Sequence, residues 1–139
     1  MLRALLRLAS RPTPPVSLAD ARARAARGAA FLDGTDPGWH ARLRTDTLAL
    51  ADGQACVLGQ LHGEFRLGLL QSRVLDGSSA RVAFVSPADL GFHARPSLAA
   101  AEEALDYTLL TRAWREEVAR RRAAPAPSAP PPHPIPVAP

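Results

Sequence analysis

Apolar and polar positions along this chain follow a helical period more often than a strict alternation. Leu18, Ala21, Ala25, Ala29 and Leu32 share one stripe, with Arg22 and Arg24 off it. Pro12, Pro14 and Pro15 break the chain ahead of this run. Ser17, followed three residues later by Asp20, then supplies a start resembling a capping box. Asp33-Gly34 reads as the end, with Gly34 in the left-handed position that closes many helices. Asp36 as N-cap and Pro37 at the first helical position predict a second, short helix through Trp39 and Leu43, because a missing N–H costs nothing there.

Leu48 and Leu50 alternate with Thr47 and Ala49, which predicts a brief extended segment or an irregular turn before Asp52-Gly53. A short helix is expected over 54–61, with Val57, Leu58 and Leu61 inward and Gly63 stopping it. A further helix is expected over 64–74, carrying Phe65, Leu67, Leu69, Leu70 and Val74. Residues 81–85 have β-like composition but no partner run. Ser86, Pro87 and Asp89 form a third helix start, closed quickly by Gly91. The last helix has the strongest pattern, with Ser97 as its cap. Glu102 and Glu103 come early and Arg120, Arg121 and Arg122 late, as the helix dipole favours. Its expected stripe runs from Leu98, Ala101, Leu105 and Leu109 to Leu110, Trp114 and Val118, with a break at Asp106-Tyr107 as an alternative. The fold class is therefore all-α, a small irregular bundle of four to six helices with at most one short β-like segment. No internal repeat is visible.

Composition sets the boundaries. Residues 125–139 contain eight prolines in fifteen positions, and proline removes a backbone donor and clashes with the preceding turn. The chain divides into a basic N-terminal arm at 1–16, flexible or frayed, a helical domain at 17–123, and a disordered Pro/Ala-rich tail at 124–139. The arm, with Arg3 and Arg7 one turn apart beside four leucines, fits a frayed extension, a targeting segment or a weak membrane-surface helix. No run approaches the apolar length that crosses a bilayer. The single Cys excludes an internal disulfide and fits a reducing, cytoplasmic compartment.

Charge changes the picture more than length does. All seventeen basic residues are arginine and thirteen residues are acidic, for a net charge of +4. Residues 1–30 hold six Arg and one acid, residues 31–117 hold eight and twelve, and residues 118–139 hold three and none. The basicity belongs to the ends, and the middle is mildly acidic, unlike a domain that grips nucleic acid with its body.

Few residues carry candidate chemistry. Cys56 needs a base and an orienting group to act as a nucleophile, and His40, His62 and His93 match no such spacing. A packed thiol is the plainer reading. One Cys and scattered His give no metal-ligand pair, so no metal, cofactor or catalytic set is expected. Gly59 and Gly63 admit a close backbone approach and a helix stop, and Gln60 between them can bond across that crossing or face a partner. Trp39 and Trp114 are the bulky anchors of a core poor in aromatics, or interface anchors. Arg120, Arg121 and Arg122 are a helix end or contacts to phosphates or an acidic partner.

In order, the chain carries Asp36-Pro37-Gly38-Trp39, then Cys56-Val57-Leu58-Gly59-Gln60-Leu61 with Gly63, then Leu90-Gly91-Phe92, then Leu110-Thr111-x-Ala113-Trp114-Arg115. Over about residues 20–122 this set resembles small uncharacterised proteins of actinobacteria and other GC-rich bacteria, and of their phages and prophages. The resemblance implies a bacterial or phage cytoplasm and carries no known activity. It also implies that Trp39, Cys56, Gln60 and Trp114 share one structural feature, where the short central helix packs on the long last one. The resulting expectation is a non-enzymatic accessory or interaction protein that meets a protein partner through a helical face. The alternatives are a nucleic-acid binder using its Arg-rich ends and an enzyme built on Cys56.

Overall fold

A computed structural model describes residues 14–71 and 86–124. Most of the arm, the β-like run 81–85 and the tail from 125 lie outside the described residues. Within them are five helices and no strand: α1 (Leu18–Thr35), α2 (Trp39–Arg42), α3 (Val57–His62), α4 (Phe65–Gln71) and α5 (Ala100–Ala123). The all-α reading holds. The two long helices α1 and α5 pack along each other, α3 pairs with α4, and α2 touches both α5 and α3.

Local chemistry sets several ends as expected. The Ser17 hydroxyl accepts the Asp20 N–H at 3.1 Å and starts α1. Gly63 ends α3 at φ 92°, a conformation that costs glycine nothing, and its N–H returns to the Gly59 carbonyl at 2.7 Å. Other ends differ. α1 runs past Gly34 to Thr35, and Gly34 is not left-handed, because the Asp36 N–H closes the helix on the Leu32 carbonyl. Asp36-Pro37-Gly38 is a turn, so α2 begins at Trp39. Ser86 and Asp89 bond reciprocally, but the segment makes only turns before Gly91 reverses it at φ 69°. Ser97 does not cap α5. It sits at φ 65°, and the cap is Ala99, which offers no side-chain bond.

The largest revision concerns which side of each long helix is inside. α5 is unbroken through Asp106 and Tyr107, and its buried face is Asp106, Leu110, Ala113, Trp114, Glu117 and Val118. Ala101 is exposed, and Leu105 is 47% exposed. On α1, Arg24 is buried with Ala21, Ala25, Gly28, Ala29 and Leu32. Its guanidinium makes two bonds to Asp106, at 2.9 and 3.0 Å, and donates to the carbonyls of Ala88 and His93, each at 2.7 Å. A charge can be buried when its opposite charge and its remaining donors are all met. Periodicity alone could not place Arg24 inside, because the partner that admits it lies on another helix.

The α1/α5 contact is close because Gly28 has no side chain. A Cβ there would lie 2.0 Å from the Leu90 carbonyl oxygen and 2.8 Å from the Trp114 ring. Gly68 of α4 sits in the same way on Leu58 of α3, where a Cβ would meet the Leu58 Cβ at 2.7 Å.

Residues 43–50 connect α2 to the turn before α3 without helix or sheet, yet Leu43, Leu48 and Leu50 are buried. Buried main-chain groups need partners, and here side chains supply them. Thr111 Oγ1 accepts the Leu50 N–H at 3.0 Å, Arg115 donates to the carbonyls of Thr45 (3.0 Å) and Leu48 (3.2 Å), and Arg122 donates to those of His40 and Leu43. One polar face of α5 thus replaces a neighbouring strand.

Candidate functional site

The residues singled out in the sequence separate into three places. Trp39 and Trp114 are fully buried and meet edge to face, with ring centroids 5.7 Å apart, and Phe92 stacks on Trp114 at 5.4 Å. Such pairs contribute about 0.5–1.5 kcal/mol beyond their burial. Both indole N–H groups are used, Trp39 on Asp33 at 2.9 Å and Trp114 on the Gly91 carbonyl at 2.6 Å. The two rings are therefore core, with neither free to anchor a partner.

Cys56 belongs to the same core but precedes α3. It is the N-cap, and its sulfur accepts the Gly59 N–H at 3.3 Å. Burial pushes the thiol above its ordinary range, opposite to what a nucleophile needs. No histidine bonds to it among the described residues. His62 Nδ1 faces Gln71 and His93 Nδ1 faces the Ala94 carbonyl. Among the described residues, no group of three His, Cys, Asp or Glu could hold a metal.

Gln60 lies at the surface of α3, away from the tryptophans. Its amide accepts the Arg44 N–H at 2.7 Å and donates to the carbonyls of Arg44 and Ala55, each at 3.0 Å. It pairs with Arg44 as a strand residue would. The close approach at Gly59 comes from the Gly53–Gln54 turn, whose Gly53 carbonyl lies 2.3 Å from where a Cβ would stand, and not from another helix.

The arginine triplet is mostly occupied. Arg121 bonds to Asp33 at 2.8 Å and to Glu117, and lies over the Trp39 ring at 5.5 Å. The Arg121 hydrogen bonds hold the Asp33 carboxyl below its usual range. Arg122 holds the 40–43 backbone. Arg120 pairs with Glu117 at 3.0 Å, with a side chain 65% exposed.

The outer side of α5 is concave where the 45–49 backbone runs beside the helix. Two hollows of about 570 and 610 Å³ adjoin there and share Arg115. Thr108, Arg112, Arg115, Ala119 and Arg122 form the helical floor, while Thr45, Asp46 and Ala49 form the wall. At about 100° per residue these five floor positions fall within about 80° of the helix circumference. No motif in the sequence marks this groove. It exists because Thr111, Arg115 and Arg122 bind the adjacent backbone, and only the recurrence of polar residues along that face hinted at it.

Among the described residues, no helix is long and apolar enough to cross a membrane. Comparison with known proteins finds no matching family model, no similar curated protein and no similar solved structure.

Proposed function

We propose that this chain is a non-enzymatic accessory protein of a bacterial or phage cytoplasm, and that it binds a protein partner through the outer face of α5. The observation that supports this reading is the α5 groove, a concave surface on the longest helix in which Arg115 and Arg122 are held by main-chain carbonyls. Rigid display of polar anchors lowers the ordering cost of association. The occupied donors of Arg121 and the neutral charge of the described body weigh against a nucleic-acid binder. The buried, capping role of Cys56 weighs against a thiol enzyme.

The test is site-specific photo-crosslinking in the native host, with the reactive group placed at Arg112 in the groove or at Ala30 on the exposed side of α1. The reading expects a discrete protein adduct from position 112 and none from position 30. Equal labelling at both positions, or none at 112, contradicts it.

A further inference from the structure

We propose that the α5 groove takes an extended acidic peptide segment carrying carboxylates at positions i and i+3, an inference that rests on the protein-binding reading above. The first support is preorganisation. Arg115 uses Nε and Nη2 on the Thr45 and Leu48 carbonyls, and Arg122 uses Nε and Nη2 on those of His40 and Leu43. Each guanidinium is therefore fixed along one edge. The Nη1 of each makes no hydrogen bond within the described residues, and both arginines are exposed and line the groove. A fixed guanidinium with one open edge binds a carboxylate with less ordering cost than a free surface arginine.

The second support is spacing. Arg115 and Arg122 are seven residues apart, about 10.5 Å along a helix at 1.5 Å per residue. A polyproline-II segment has three residues per turn and rises 3.1 Å per residue, so positions i and i+3 share a face about 9.3 Å apart. The small Ala119 lies between the two arginines and leaves room for the intervening backbone. Arg112, 62% exposed and in only a long contact with Glu116 at 3.4 Å, extends the positive floor by one turn.

The third support decides between peptide and nucleic acid. The described residues hold twelve Arg and twelve Asp plus Glu, a net charge of zero. Asp46 and Glu116 stand in the groove walls. A continuous polyphosphate would meet their repulsion along its length, whereas a peptide brings charge only at its two carboxylates. The chain's own segment 125–139 has no acidic side chain and does not match this pattern.

The experiment is a fluorescence-anisotropy titration of the full chain against two labelled ten-residue peptides of equal composition on a Pro/Ser background. One carries Glu at i and i+3, the other carries two adjacent Glu. The spaced peptide is expected to bind saturably and about fivefold tighter than its isomer, with affinity falling as salt rises. Ala119→Glu places a carboxylate beside both arginines and is expected to weaken binding about tenfold. Ala30→Glu, the same charge change on α1, is expected to leave binding unaltered. Arg112→Glu serves as a second groove variant should Ala119→Glu melt lower than the parent.

Equal affinity for the two isomers, binding indifferent to both groove variants, or tighter groove binding by an oligonucleotide of matched charge would overturn the proposal. If the peptides fail while position 112 still crosslinks a protein, the acidic-segment inference falls alone. If neither occurs, the protein-binding reading falls with it.

Discussion

Arg24 of α1 and Asp106 of α5, 82 positions apart, form a two-bond ion pair in which both side chains are at most 3% exposed. The Asp106 carboxylate also accepts the Arg95 N–H at 3.0 Å, and Arg95 pairs with Asp20 beside it. The network ties the start of α1, the 88–95 loop and the middle of α5 into one unit. Removing one partner strands the other charge, which typically costs about 3–5 kcal/mol. Asp106→Ala and Arg24→Ala should each lower stability by that amount in urea unfolding. Arg24→Met combined with Asp106→Leu should be less harmful than the sum of the two single alanine changes. Additive losses would mean that the pair is not coupled as described.

Gly28 and Gly34 lie in the same helix and should respond oppositely to alanine. Gly34→Ala meets nothing within 4 Å and should stabilise α1 by about 0.5–1 kcal/mol through helix propensity. Gly28→Ala would press on the Leu90 carbonyl and Trp114, and overpacking of this kind costs about 1–3 kcal/mol. Thermal melting of the two variants gives the comparison, and a stabilised Gly28→Ala would show that the α1/α5 approach is looser than it is here.

Gln60→Glu keeps an acceptor for the Arg44 N–H but turns a carboxylate oxygen toward the carbonyls of Arg44 and Ala55. A loss of about 1–3 kcal/mol is expected at neutral pH. Protonating the new carboxyl restores one donor, so the deficit should shrink as pH falls toward about 4.3, the unfolded carboxyl value. An unchanged melting temperature at pH 7 would show that the Gln60 bonds to Arg44 and Ala55 do not stabilise the fold.

Asp33 is one of the carboxylates that contribute to the acid limb of stability. The Arg121 hydrogen bonds hold its folded pKa below its unfolded value. Its contribution is therefore present above about pH 4, the unfolded carboxylate range, and is lost as pH falls through the folded value. Urea midpoints measured from pH 7 down to pH 2.5 should fall less steeply in Asp33→Asn than in the parent. Parallel curves would exclude this coupling.

Cys56 should be inert to alkylating reagents in the folded chain and reactive in denaturant, since burial both shields the thiol and raises its pKa. Rapid labelling under native conditions would reopen the thiol-enzyme reading.

What the sequence discloses is mostly local. Ser17 with Asp20 and the stop at Gly63 are short-range bonds, and the alanine stripe of α1 needs only its own period. Toward its start the inner face of α5 departs from the sequence pattern, because Leu98, Ala101 and Leu105 keep an apolar spacing while the buried face passes through Asp106. Nothing within α5 shows that Arg24 will neutralise that carboxylate. Ser97 has the chemistry of a cap but a left-handed backbone in the turn it makes with Pro96. The groove was hidden for a related reason. Thr111, Arg115 and Arg122 look like a solvated face until the 43–50 backbone is laid beside them.

Side chains of α5, in place of a partner strand, hold residues 43–50 and so form the groove. Amide hydrogen exchange at Leu50 tests it most directly, because that N–H is bound only by Thr111 Oγ1. The parent should protect Leu50, and Thr111→Val should speed its exchange by about tenfold or more while amides in the middle of α1 keep their rates. Free exchange at Leu50 in the parent, or equal protection in Thr111→Val, would show that the α5 side chains do not hold this backbone.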